Sequence, residues 1–301
     1  MIRSISIVCA LLIGAACATP APESVPAVAV ELNEAAAATA DSAQIAVFGE
    51  VMAEAQRQAW HTLPFGEIIQ EVGVWFSGAP YVAGMLDAEP GEPLVITLTS
   101  FDCVLLIETV MALAQGIAVE DYAYPTFVGN LEALRYREGT RDGYCSRLHY
   151  FSEWIADNEA RGTVDHITAD LGGEVLSKTL DFMSRHRDKY PRFAENDSLF
   201  AGIVDMEAGV RDLALYHIPQ AEISTVYDQL QAGDIIATST YLDGLDVTHS
   251  GFVFDYGDGR VGFLHASTSG GVKVSPDLQR YVENNKVQVG IVVARPLDPR
   301  F

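Results

Sequence analysis

Ser100-Phe101-Asp102-Cys103-Val104-Leu105-Leu106-Ile107-Glu108-Thr109-Val110 sets one cysteine at the mouth of an apolar stretch. Leu106, Ile107, Val110, Leu113 and Ala114 follow a 3.6-residue period, which predicts a helix with one face buried in a core. Ser100 or Asp102 can cap its start by accepting from the first free N–H groups. Those unsatisfied N–H groups and the positive end of the helix dipole favour an anion, so a helix start beside an imidazolium lowers a cysteine pKa and makes a nucleophile. An inert core cysteine is the other reading of the same residue.

Working outward, Leu94-Val95-Ile96-Thr97-Leu98 reads as a short strand delivering the chain to this helix, after helical patterns at about 42–60 and 65–76 and a turn at Gly78-Ala79-Pro80-Tyr81. Helical stretches follow at about 126–138 and 152–158, and residues 174–230 read as mixed, mostly helical or irregular. From Ala232 the character changes. Residues 233–238, 247–254, 261–266, 271–275 and 289–294 are β-rich runs separated by Gly, Asp and Asn turns, which predicts an antiparallel sheet. A helical half carrying Cys103, packed on a C-terminal antiparallel sheet carrying His249 and His265, is an α+β arrangement.

The N-terminus has one basic residue, a short apolar run and small residues, as a bacterial export signal does, over about residues 1–17. Gly14-Ala15-Ala16-Cys17 resembles a lipobox, although leucine is usual where Gly14 stands, so outer-membrane attachment through a lipid on Cys17 and plain cleavage both stay open. Either route places the protein outside the cytoplasm, in the periplasm or on its membrane. Residues 18–40, rich in Ala and Pro, read as a flexible tether, and 41–301 as a single catalytic domain.

Nineteen basic against forty-one acidic residues give a net charge of −22, which argues against nucleic acid and anionic membrane surfaces as partners. Cys103 and Cys145 are the cysteines beyond the signal region. They could bridge in an oxidising compartment, but the bridge would consume the nucleophile, and the expectation is a reduced Cys103. Cys145 stands four residues before His149, a spacing that would set thiol and imidazole on one helical face. No His-Glu-x-x-His run is present, and no metal or cofactor is implied.

Phe101-Asp102-Cys103-Val104 with Glu108-Thr109, Ser146-Arg147-Leu148-His149-Tyr150-Phe151 with Trp154, Gly233-Asp234-Ile235-Ile236, Leu245 to Phe252 and Leu264-His265-Ala266-Ser267 together resemble the N-acetylmuramoyl-L-alanine amidase-like domain, a branch of the NlpC-type, papain-like cell-wall hydrolases. The resemblance runs from about Gly78 to Pro296. It implies a papain-like (NlpC-type) fold, with Cys103 as nucleophile, His249 as base and His265 as the residue that orients it. It also implies hydrolysis of the amide between the lactyl group of N-acetylmuramic acid and L-alanine in peptidoglycan fragments, muropeptides including anhydro forms. Tyr81, in the matching Gly-x-Pro-Tyr turn, is expected as a second oxyanion donor or substrate contact, with a buried structural role as its alternative. Asp102 and Arg147, with His149 and Tyr150 beside it, are expected to touch substrate. Arg137 and Arg135 are weaker candidates for stem-peptide carboxylates. Two readings stay open beside the amidase: a γ-D-glutamyl-diaminopimelate endopeptidase with the same chemistry, and a non-catalytic envelope lipoprotein that binds muropeptides. Oligomeric state is not legible in the sequence.

Overall fold

A computed structural model describes residues 41–88 and 91–301; the expected signal, lipobox and tether lie outside them. Helix α1 (Ser42–Arg57) starts where the Asp41 side chain accepts from Ala43 N, and α2 (Phe65–Trp75) follows a single 3₁₀ turn. Then come α3 (Cys103–Ala118), α4 (Tyr124–Arg135) and α5 (Phe151–Ala160). The expected strand at Leu94–Leu98 does not form. No strand lies beside it to pair with, and side chains take its backbone groups instead: Leu98 N donates to Gln44 Oε1, and Arg135 Nη1 donates to Val95 O.

The sheet is antiparallel throughout and runs β2-β3-β8-β4-β5-β6-β7, with β1 also pairing β8. Its strands are β1 (Val164–His166), β2 (Glu174–Val175), β3 (Tyr216–Pro219), β4 (Ile235–Thr240), β5 (Val247–Asp255), β6 (Val261–Ser267), β7 (Gly271–Ser275) and β8 (Gln288–Pro296). The five C-terminal strands agree with the sequence reading; β1, β2 and β3 do not appear in it. They are two to four residues long and owe their conformation to pairing, β1 and β3 on β8 and β2 on β3.

The two-residue period of the strands divides two cores. Ile235, Ala237, Phe252, Leu264 and Ala266 face α1 to α5, while Ile236, Val253, Phe263 and Val293 face a second cluster with Leu278 and Val282 of α7 (Leu278–Glu283). Between them in the chain, α6 (Asp197–Gly209) packs with Tyr144, Tyr150 and Phe193 in a third cluster. One expectation needs correcting. Helix α3 buries not one face but its whole circumference, from Leu105 through Ala114, because it runs between α2, α4 and the sheet. The charged exception is Glu108, whose Oε2 accepts from Arg135 Nε at 2.6 Å and so ties α3 to α4.

Candidate active site

Cys103 is the first residue of α3, and Asp102 is the N-cap, its Oδ1 accepting from Leu105 N at 2.9 Å. Two contacts fix the loop that presents them. Phe101 N donates to Pro80 O and Val82 N donates to Phe101 O, while Gly78 N and Ala79 O bond Val272 of β7. That docking depends on Gly271, whose φ is +71° and where a Cβ would stand 2.1 Å from Ala79 O. Tyr81 is thereby brought near Cys103: burial raises its hydroxyl pKa, with the charges of Cys103 and Asp102 adding to the effect.

The imidazoles come from the sheet. The β4–β5 register passes from Thr238 opposite His249 to Ser239 opposite Val247, a bulge that leaves Thr248 as the extra residue and re-aims His249. Beyond it, the β5–β6 ladder ends at Phe252–Leu264, and His249 and His265 stand past that end. Gly251 lets the strands approach at the point of parting; a Cβ there would lie 2.5 Å from Leu264 O and 2.7 Å from the Phe263 ring. His249 Nε2 meets His265 Nδ1 at 2.9 Å, and His265 Nε2 meets Ser275 Oγ at 2.9 Å. Tyr281 packs on both rings, 5.9 and 4.6 Å from them, and senses the charge of Cys103. Asp246 anchors the start of β5, accepting from Ser152 N at 2.7 Å and Val247 N at 2.8 Å.

This chain of contacts has one proton arrangement that makes a base of His249. With Ser275 Oγ accepting from His265 Nε2–H, His265 Nδ1 is a lone pair that accepts from His249 Nε2–H, and His249 Nδ1 is left unprotonated. Burial holds both rings neutral, lowering His249 to about 4 and His265, also repelled by His249 and Lys273, to about 3.

The thiol differs from the expectation of a lowered pKa. Burial, then the Asp102 carboxylate, push Cys103 up to about 11, and the hydroxyl and N–H of Ser250 and its own N–H offset this only in part. The buried setting outweighs the helix end. The resting pair is therefore a neutral thiol and a neutral imidazole. Ser250, next to His249 in the chain, is close enough to the thiol for its hydroxyl and N–H to favour the thiolate, and its buried Oγ has no settled hydrogen-bond partner.

The expected substrate contacts fare unevenly. The buried Arg147 donates to Leu86 O at 2.7 Å and to Asp87 Oδ1 at 2.5 Å, with Glu92 at 3.6 Å. Arg135 is sealed against Glu108, and Arg137 is bound to Glu153 and Cys145 O. His149 Nε2 sits 2.9 Å from Tyr144 O, its pKa lowered to about 3 by burial and by Arg147. The Tyr150 hydroxyl donates to Glu207 and accepts from Met183 N, inside the third cluster. In this structure each of these side chains has a protein partner, a contact that braces the loops around the site. Cys145 and His149 do not share a helical face, since the chain between them is a 3₁₀ turn followed by extended backbone. Both Cys103 and Cys145 are free thiols, and among the described residues no cluster could hold a metal ion. Ser250, Ser275 and Tyr281 escape the sequence reading, because a serine on a strand and a tyrosine on a short helix carry no signal of their own.

A family model described as N-acetylmuramoyl-L-alanine amidase-like matches residues 71–291. Among solved structures, an N-acetylmuramoyl-L-alanine amidase from Bacteroides uniformis is 31% identical with a TM-score of 0.72, over 77% of this chain and 99% of that one. A Bacteroides fragilis structure provisionally called a xylanase is also 31% identical, with a TM-score of 0.66 over 75% and 99% of the two chains. A Legionella pneumophila protein shares the fold at 22% identity, with a TM-score of 0.61 over 87% and 97%. A search of curated proteins finds no match.

Proposed function

We propose, from the premise that this chain belongs to the N-acetylmuramoyl-L-alanine amidase-like family, that it is a cysteine amidase of peptidoglycan fragments. On this reading it hydrolyses the N-acetylmuramoyl-L-alanine bond of muropeptides, anhydro forms included. The observation that carries the mechanism is the chain His249–His265–Ser275, packed on a Tyr281 that also senses the charge of Cys103 at the first turn of α3.

Because both partners rest neutral, proton transfer and attack are coupled. The Cys103 side chain turns from Ser250 toward His249 Nδ1, gives it the thiol proton, and forms the S–C bond to the lactyl carbonyl. The oxyanion is held by Cys103 N–H, free at the helix start, and by the Tyr81 hydroxyl. His249 returns the proton to the departing alanine nitrogen as the C–N bond breaks. Water, deprotonated by His249, then attacks the thioester carbonyl, and His249 returns that proton to the Cys103 sulfur as the C–S bond breaks. His265 and Ser275 keep His249 in the tautomer this requires. No step calls for a metal.

Glycoside hydrolysis, the reaction a xylanase performs, would use a pair of carboxyl groups flanking the bond. The carboxylate beside Cys103 is Asp102, already spent on capping α3, so the thiol and imidazoles are the better-placed chemistry. We further propose a papain-like, NlpC-type fold, a single catalytic domain over 41–301, and export from the cytoplasm.

The test is mass spectrometry of the reduced protein with disaccharide-tetrapeptide muropeptides in reducing and anhydro forms, beside Cys103→Ala. Free sugar and an intact peptide led by L-alanine, absent with the variant, is the expected result. Cleavage after D-glutamate would replace the amidase with the endopeptidase. Full turnover by Cys103→Ala would overturn the mechanism.

A further inference from the structure

In a chain of net charge −22, cations are few, and most of those described lie within ion-pair distance of a carboxylate. Lys178 is spent on the carbonyls of Thr240, Leu242 and Leu245, and Arg211 stands apart on an exposed turn. The cations that remain without a carboxylate are Lys273, Arg280 and Lys286, and they gather in one place. Arg280 and Lys286 line a groove of about 500 Å³, and Lys273 Nζ donates at 2.8 Å to the carbonyl of Ser269 on its wall.

The groove reaches the far end of the proton relay. Ser275, which bonds His265, and Tyr281, which packs on both imidazoles, are lining residues. The groove also holds an acid, Asp277, but its Oδ1 is occupied as the N-cap of α7, accepting from Arg280 N at 2.7 Å. Arg280 and Lys286 outnumber that one carboxylate, so the groove lining carries a net positive formal charge in a protein that is strongly negative as a whole.

Which half of a substrate would lie here follows from the reaction. The acyl half stays on Cys103 at the start of α3. The amine half receives its proton from His249, so it departs on the imidazole side and continues toward Ser275 and Tyr281. In an N-acetylmuramoyl peptide the amine half is the peptide stem, which carries the carboxylates.

We propose that the groove lined by Arg280 and Lys286, with Lys273 at its rim, binds a carboxylate of the peptide stem and so selects acidic stems over amidated ones. This rests on the amidase reading. The assay is calorimetric titration of the Cys103→Ala protein with N-acetylmuramoyl-L-alanyl-D-glutamate and with the same molecule carrying both glutamate carboxyls as amides. Turnover of both by the unaltered enzyme is followed in parallel. The acidic ligand should bind about tenfold more tightly, and the difference should shrink as salt rises. Arg280→Gln with Lys286→Gln should bring the two ligands within twofold, whereas Arg280→Lys alone keeps most of the difference. Affinities within twofold in the starting protein, absence of binding, or full discrimination in the double variant would each overturn the subsite. The two readings fail separately. Binding with discrimination but no cleavage at the muramoyl-alanine bond defeats the amidase and leaves the subsite, whereas cleavage without discrimination does the reverse.

Discussion

Replacing Ser275 with alanine tests the least obvious part of the relay, because Ser275 is one step removed from His249 and reaches it only through His265. Its Oγ stands 2.9 Å from His265 Nε2, a ring nitrogen on a residue only 1% exposed. Without that acceptor, His265 has no fixed reason to carry its proton on Nε2. The tautomer with Nδ1–H then faces His249 Nε2 and drives the proton of His249 onto Nδ1, where the base must be bare. A neutral hydrogen bond of this kind contributes about 1–1.5 kcal/mol. Ser275 is only partly buried and opens on the groove, so water can replace the hydroxyl in part, and the cost stays at that level rather than at the full penalty of a buried orphan donor. Converted at 1.4 kcal/mol per tenfold, kcat/KM should fall about five- to tenfold. Most of the fall belongs in kcat, since the tautomer affects proton transfer and not ligand contacts. Ser275→Thr, which keeps the hydroxyl, should restore most of it. Steady-state kinetics on a muropeptide with melting curves as the fold control provide the readout. A loss below twofold, or an equal loss in Ser275→Thr, would refute the tautomer argument.

Three other outcomes follow from the geometry. Protonation of His249 removes the base, so kcat/KM should hold through neutral pH and fall only as pH drops toward about 4; an acid limb centred near the ordinary imidazole value would show that His249 is not desolvated. With the Cys103 thiol pushed up to about 11, its alkylation by iodoacetamide should still be rising about tenfold per pH unit at pH 9, and a plateau below that pH would contradict the buried thiol. Glu108→Ala leaves the Arg135 guanidinium, whose side chain is 1% exposed, without its counter-ion, and should cost roughly 3–5 kcal/mol in urea unfolding; a change under about 1 kcal/mol would mean that the pair contributes little.

Much of this was legible in the residues because it depends on local rules. An apolar run after Asp102 must be a helix start with Cys103 in its first turn, since Asp is a cap and the hydrophobic spacing is helical. The alternating runs from Ile235 onward must be strands, and their turns carry the glycines and aspartates that antiparallel pairing needs. Other features had no local signature. Leu94–Leu98 has strand composition and no strand, because β character is completed by a neighbour and none is there. Arg135, Arg137 and Arg147 read as free cations, whereas each meets a carboxylate brought from elsewhere in the chain.

The sequence by itself determined the place of Cys103 on its helix, the strands that bear the histidines, and the excess of negative charge. Tertiary structure decided what those groups are worth. It parted β5 from β6 so that His249 and His265 could bond across the gap, and it supplied Ser275 as the far end of the relay. It also desolvated the half-buried thiol enough to reverse the direction in which a helix start shifts it. Finally, it left Arg280 and Lys286 unpaired beside the imidazoles. Each of these depends on distances between residues far apart in the chain, and on desolvation, which no single segment carries.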